Sequence, residues 1–273
     1  LLTAIAGHDA DDPATDSGRG QFGKDYTRFL RPDGLRGKRV GVARRYFNVS
    51  YLANPVFEDS VAALKDTGAE VVDPVEIPDH SMWQHSSVVM RREFKHGINE
   101  YMKWLGPDAP VKSLADIIEF NKAHADVELA FFGQQIFEEA VDAGPLTDQK
   151  YKDALKECLR LSREEGIDKV MDQYELDAIF CPTFGPAGPT DPINGDHVPG
   201  GSAGLAATAG YPNITVPFGD VYGLPLGVSF WGRAWSEPDL IAMAFAFEQA
   251  AGGRKPPRLL PTIELPQIPP EKA

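Results

Sequence analysis

Hydrophobic positions along this 273-residue chain change period several times, and each change predicts an element. Leu1, Leu2, Ile5 and Ala6 are spaced like the last turns of an amphipathic helix, which Gly7 would end. The polar stretch 8–23 then reads as a loop. Residues 38–43 (KRVGVA) form a short apolar run after the Gly34/Gly37 turn and predict a buried strand. Residues 55–67 predict a helix, with Pro55 suited to a first turn and Val56, Val61 and Leu64 on one face. Gly68 ends it, and residues 70–77 predict a second strand. A strand–helix–strand unit of this kind predicts parallel pairing.

From residue 80 to about 174 the period is near 3.6, so helices are expected. Leu114, Ile117, Ile118 and Phe120 open one of them, with Ser113 and Asp116 placed as a capping box. Phe131, Phe132, Ile136 and Phe137 are expected to continue its apolar face. Leu155, Cys158, Leu159 and Leu161 mark another helix, ending near Gly166. Residues 176–181 predict a short strand stopped by Pro182, followed by a Pro/Gly-rich loop over 184–204 and a small-residue helix near 203–209. Residues 214–218 and 226–231 predict two buried strands joined by a turn at 219–223. Residues 239–251 predict a final helix, and the Pro-rich tail, 256–273, is expected to be loosely held. The class implied is α/β, with a mixed or mainly parallel central sheet flanked by helices, in one domain over 1–273.

Composition narrows the function classes. Hydrophobic residues make up 42% and charged residues 25%, the mix of a globular protein with a real core. Net charge is −13, and no Lys/Arg stripe offsets it, which argues against nucleic acid as a partner. No apolar run approaches the ~18 residues of a membrane span. Cys158 and Cys181 make no disulfide framework and no zinc spacing. The opening residues lack a methionine, a basic region and a cleavage pattern, so they are expected to follow an upstream segment. Any targeting signal would lie there. Localisation stays unread, with the cytoplasm favoured over secretion.

Several patterns imitate functional motifs. Gly18-x-Gly20-x-x-Gly23 has the letters of a dinucleotide fingerprint, but an acidic loop and not a strand precedes it. Gly200-x-Ser202-x-Gly204 has the letters of a nucleophile elbow, yet it also lacks a feeding strand, and no histidine follows His197. His8, Asp9, Asp11 and Asp12 lack metal-loop spacing. His85, His96 and His124 lie on predicted helices without an i, i+4 partner ligand. Cys181 reads as a small apolar side chain at a strand end. No complete catalytic set emerges from the residues, and neither a metal nor a cofactor is expected.

Five stretches, in register and nearly end to end, resemble the amidase-signature family. They are residues 1–12, 34–42 (GLRGKRVGV), 176–183 (LDAIFCPT), 209–219 (AGYPNITVPFG) and 223–233 (GLPLGVSFWGR). Within that family the likeness leans to the peptide amidases, through Glu93-Phe94-Lys95, Ser113 to Asn121 with His124, Phe132-Gly133-Gln134, and Ala234-Trp235-Ser236-Glu237-Pro238. The resemblance implies an amidase-signature fold of which this chain is the C-terminal part. It also implies an amide hydrolase that releases ammonia from C-terminal peptide amides or another carboxamide through a serine acyl-enzyme. The family's nucleophilic serine, its cis-peptide serine and its lysine base lie upstream of the stretches matched here. The only adjacent serines, Ser86-Ser87, sit on a predicted helix without flanking glycines. No catalytic residue can therefore be assigned, and the chain alone is expected to be inactive, with an apolar surface where the N-terminal half of the same protein would pack. Candidates for the wall of the substrate pocket are Phe94, Phe131, Phe132, Gln134, Thr183 and Ser202, with helical core packing as the competing account of the aromatics. Three alternatives stay open: a non-catalytic binding or scaffold relative, a self-sufficient hydrolase using Ser202 or Cys181, and a protein like the amidase-type subunit of glutamyl-tRNA amidotransferase.

Overall fold

The computed structural model describes residues 1–256 apart from Phe22, Asp79, His80 and Pro199. The tail expected to be loosely held lies, beyond Pro256, outside the described residues. In chain order the elements are α1 (Leu2–Ile5), β1 (Arg39–Val42), α2 (Asn54–Asp66), β2 (Glu70–Val72), α3 (Trp83–Leu105), α4 (Leu114–Ala123), α5 (Ala125–Glu128), α6 (Gln135–Val141) and α7 (Gln149–Ser162). A kinked stretch, Arg163–Ile167, in which Gly166 is non-helical (φ −106°, ψ −109°), leads into α8 (Asp168–Gln173). Then come β3 (Ala178–Pro182), α9 (Ala203–Ala209), β4 (Asn213–Val221), β5 (Leu224–Trp231) and α10 (Glu237–Ala251). Two compact units result. One comprises Leu1–Pro78, Arg163–Asp191 and Gly195–Ala273; the other comprises Asp79–Ser162 and Pro192–Asn194.

The first unit is built on a five-stranded mixed sheet of order β2-β1-β3-β5-β4. β1 runs parallel to both β2 and β3, whereas β3 and β4 are each antiparallel to β5. Every residue of β3 is buried, as expected of a central strand covered on both faces. On one face Phe180, Val216, Val228 and Phe230 meet Phe57, Val61 and Leu64 of α2 and Leu240, Met243 and Phe247 of α10. Ile179, Cys181, Ser229 and Trp231 alternate with them toward the other face and are inaccessible to solvent. Asp177 fastens the β1–β3 seam: its carboxylate accepts from Lys38 Nζ at 2.9 Å and from the Arg39 amide at 2.8 Å.

Two expectations for this unit are corrected. β2 ends at Val72, not near residue 77, because Pro74 has no N–H to give the ladder. The Val75 amide still donates to the Val42 carbonyl, so the chain stays against β1. The turn between β4 and β5 is also tighter than 219–223. Tyr222 (φ 52°) and Gly223 (φ 79°) form a two-residue loop with both φ positive, the geometry that matches strand twist in a hairpin. Gly219 instead occupies a bulge in β4, where the register shifts between Pro217 and Asp220.

The second unit is helical. Val89 of α3 packs with Ala154 and Cys158 of α7, joined by the half-buried Val88, Tyr151 and Leu155. Farther along α3, Phe94 and Ile98 pack with Leu114 and Ile118 of α4 and with Phe137, Ala140 and Val141 of α6. Ser113 caps α4 by accepting from the Asp116 amide at 3.2 Å, as its spacing predicts. The reciprocal bond goes one residue earlier, from the Lys112 amide to Asp116. The apolar face of α4 does not continue through Phe131 and Phe132. Residues 131–134 are non-helical around Gly133, and α6 starts at Gln135. Among the described residues no helix is long and apolar enough to cross a membrane.

Candidate functional site

Thr183 and Ser202, eighteen residues of loop apart in the sequence, meet at the end of β3. The Thr183 amide donates to the Gly227 carbonyl at 2.9 Å, and the Thr183 carbonyl accepts from the Ser202 amide at 3.1 Å and from its hydroxyl at 3.4 Å. A bridge between Phe184 and Gly201 closes the base of the intervening loop. Gly201 is required there, since a Cβ would stand 2.5 Å from the Phe184 ring. Ser202 is only 1% exposed.

Cys181 lies under the same corner. Trp231 Nε1 donates to its sulfur at 3.0 Å, and the Ser202 hydroxyl also reaches it. Burial pushes the thiol up to about 11, against those two hydrogen bonds, so no thiolate is available near neutral pH. The buried Cys158 thiol is also raised, first by burial and then by the nearby Glu93 and Glu157. An aromatic disulfide reagent is therefore expected to label neither cysteine in the native chain at pH 8 and both after denaturation. Rapid native labelling of Cys181 would contradict its burial beneath Ser202 and Trp231.

Thr183 belongs to a hydroxyl cluster that the sequence does not announce. Its Oγ1 lies 2.8 Å from Ser229 Oγ and 3.4 Å from Thr215 Oγ1, and Thr215 lies 3.1 Å from Ser229. Thr215 and Ser229 are register partners on β4 and β5, and Ser229 is paired with Cys181 on β3. The usable signal is pleat alternation, which places all these side chains on one face once strand order is known. The hydroxyls satisfy one another and can offer neutral donors or acceptors, but no general base stands among them.

The candidates in the helical unit separate into two kinds. Phe94 packs against Phe137 with the rings tilted and their centres 5.3 Å apart and is half-buried, and Gln134 accepts from Asn121 Nδ2 at 3.0 Å while donating to the Ile118 carbonyl at 3.2 Å. Gln134 thus ties α4 to the start of α6. Phe131 and Phe132, by contrast, are 79% and 80% exposed, which removes core packing as their explanation. Trp83 and Trp104 of α3 are also largely exposed. Ser86 and Ser87 donate to carbonyls of the preceding helical turn, Trp83 and Gln84, and form no Gly-rich turn. A groove of about 390 Å³ runs past Trp83, Arg91, Arg92 and Lys150.

The imitated motifs resolve without function. Gly18 ends a 3-10 turn, Pro13–Gly18, that Asp12 caps, with no strand before it. His8 pairs with Asp16 at 2.9 Å. His124 donates to the Phe120 carbonyl and stacks on the Phe120 ring. Among the described residues no group of three or more His, Cys, Asp and Glu side chains is placed to hold a metal ion.

Comparison with known proteins adds the following. The sequence profile of the Amidase family matches residues 1–241. A probable amidase of Arabidopsis thaliana is 35% identical over 268 residues, covering 95% of this chain and 47% of that protein. A glutamyl-tRNA(Gln) amidotransferase subunit of Thermoanaerobacter pseudethanolicus is 26% identical, over 92% of this chain and 51% of its own length. Among solved structures, the native peptide amidase from Stenotrophomonas maltophilia superposes with a TM-score of 0.87 at 43% identity, covering 94% of this chain and 51% of that one. The chain spans about half the length of the relatives it matches.

Proposed function

The chain belongs to the amidase family, and on that premise we propose that it serves a hydrolase of linear carboxamides, with C-terminal peptide amides as substrates and ammonia as the product. The observation that carries this reading is the joint likeness, in sequence and in fold, to the S. maltophilia peptide amidase. In the chemistry the family resemblance implies, a serine attacks the amide carbonyl, ammonia leaves, and water releases the acyl-enzyme. The base would be a lysine held neutral by burial, and backbone amides would stabilise the oxyanion.

Among the described residues, the serine and cysteine candidates that the sequence offers are engaged elsewhere. Ser202 and Cys181 are buried and mutually bonded, and Ser86 and Ser87 are turned onto their own helix. The chain's part in this proposal is scaffold: Thr183 and Ser202 close the end of β3, and in the helical unit Phe94 and Gln134 hold the packing while Phe131 and Phe132 offer exposed apolar surface. The nucleophile and its base would come from the N-terminal half of the same protein. The buried Ser202 and Cys181 equally favour a second reading, a scaffold relative without catalysis.

Ammonia release from a C-terminally amidated dipeptide tests both readings. The chain alone is expected to release none, and the chain joined to a segment bearing the family's two serines and lysine is expected to turn over. Release by the chain alone would place a nucleophile within it and overturn the proposal. A joined protein that folds and still releases nothing would overturn the peptide-amide reading and leave the scaffold and amidotransferase-like readings.

A further inference from the structure

The sheet-containing unit holds a second cavity, of about 330 Å³, that shares no residue with the Thr183–Ser202 corner. Its walls include Arg163, Tyr211, Trp235 and Glu237. That volume is at the lower end of the ~300–1,000 Å³ range of small-molecule sites.

Three features set this cavity apart from an ordinary surface dent. Trp235 has φ 65°, a left-handed conformation that bulky side chains rarely adopt, and it remains 43% exposed. Core packing therefore does not offset the strain, which holds an indole at the cavity. Arg163 opens the kinked stretch before α8 and donates from Nε to the Ala209 carbonyl at 2.8 Å, with its guanidinium 5.4 Å from the Tyr211 ring centre. Its two Nη groups make no hydrogen bond to a described residue. Tyr211 is itself anchored, donating to Asp168 at 2.9 Å, and Arg233 holds Asp168 in turn at 3.2 Å.

Glu237 sits in the first turn of α10, half-buried, and its carboxylate has no hydrogen bond or ion pair with a described residue. A cation and an anion thus line one cavity without neutralising each other. A ligand carrying both charges would satisfy both at once, and its apolar side chain would meet the aromatic walls that Tyr211 and Trp235 contribute. We propose that this cavity binds a small zwitterion, an α-amino acid or short peptide with an apolar side chain. Its carboxylate would lie on the Nη groups of Arg163 and its ammonium on Glu237.

Calorimetric titration of the 273-residue chain with L-phenylalanine tests this, with 3-phenylpropionate and phenethylamine as one-charge comparators. Saturable binding of phenylalanine is expected, weakened about tenfold or more by Glu237→Gln and by Arg163→Gln, since each removes a charge-assisted contact. Glu237→Gln should leave phenylpropionate binding unchanged, and Arg163→Gln should leave phenethylamine binding unchanged. Thermal melts check that the variants fold; if Arg163→Gln does not, Glu237→Gln and the two comparators decide. The proposal falls if phenylalanine shows no saturable binding at its solubility limit, or if Glu237→Gln weakens phenylpropionate as much as phenylalanine.

Discussion

Replacing Phe247 with alanine is expected to destabilise the sheet-containing unit by about 3–5 kcal/mol, the usual cost of emptying a large aromatic site in a packed core. Phe247 is inaccessible to solvent and sits at the centre of a ring cluster. Its centroid lies 5.5 Å from Phe180 and 5.7 Å from both Phe218 and Phe230. The cavity left behind cannot close, because those rings stand on three different strands whose spacing the hydrogen-bond ladder fixes. Phe247→Leu keeps most of the volume and should cost about 1–2 kcal/mol. Urea unfolding followed by near- and far-UV circular dichroism measures both. A loss below about 1 kcal/mol for alanine would show that α10 is not a principal support of the sheet.

Gly34→Ala is expected to cost about 3 kcal/mol, the upper end for overpacking. A Cβ at Gly34 would stand 2.2 Å from the Ala242 carbonyl oxygen and 2.5 Å from its carbon. These are backbone atoms in the middle of α10, so the contact cannot be relieved by turning a side chain. The helix or the turn before β1 must move. Gly204→Ala is the contrasting case: it lies in α9 with nothing within 4 Å of an added Cβ. There the methyl group should be neutral or stabilise by up to about 1 kcal/mol through helix propensity. The thermal midpoints of the two variants should therefore move apart. Similar midpoints would mean that α10 and the Gly34 turn are not in contact.

What the sequence shows of this fold depends on how local each determinant is. The strand–helix–strand order that begins at residue 38, the burial of 178–181 and the cap at Ser113 all follow from neighbours within a turn or a pleat, whereas the end of β2 at Val72 does not. The break at 131–134 does not. Phe131, Phe132, Ile136 and Phe137 keep a helical spacing, but Gly133 interrupts the backbone and both phenylalanines of the pair turn outward. In the hairpin, Gly219 and Gly223 compete as turn signals. The turn falls at Tyr222–Gly223 because the bulge absorbs Gly219, which spacing alone cannot reveal.

The sites show the same division. Cys181 as a buried apolar group could be read from its strand. Its neighbours Ser202, Ser229 and Trp231 could not, since they depend on β3 lying beside β5. The Arg163–Glu237 cavity was invisible for the same reason, its walls coming from segments separated by dozens of residues.

The order of the sheet also bears on how the chain emerges from the ribosome. β1 and β2 are synthesised together, yet the other edge of β1 waits for β3, and Arg39 and Asp177, which bond across that seam, lie 138 residues apart. At ~5–20 residues per second, translation needs roughly 7–28 s to supply the missing strand. During that interval the nascent chain presents the apolar Val40 and Val42 beside an open row of amides and carbonyls, a template for pairing with another chain. The helical segment made in those seconds relies on contacts within about seventy residues and can fold while β1 waits. The unpaired edge of β1 is thus the part of this sheet most exposed to mispairing during synthesis.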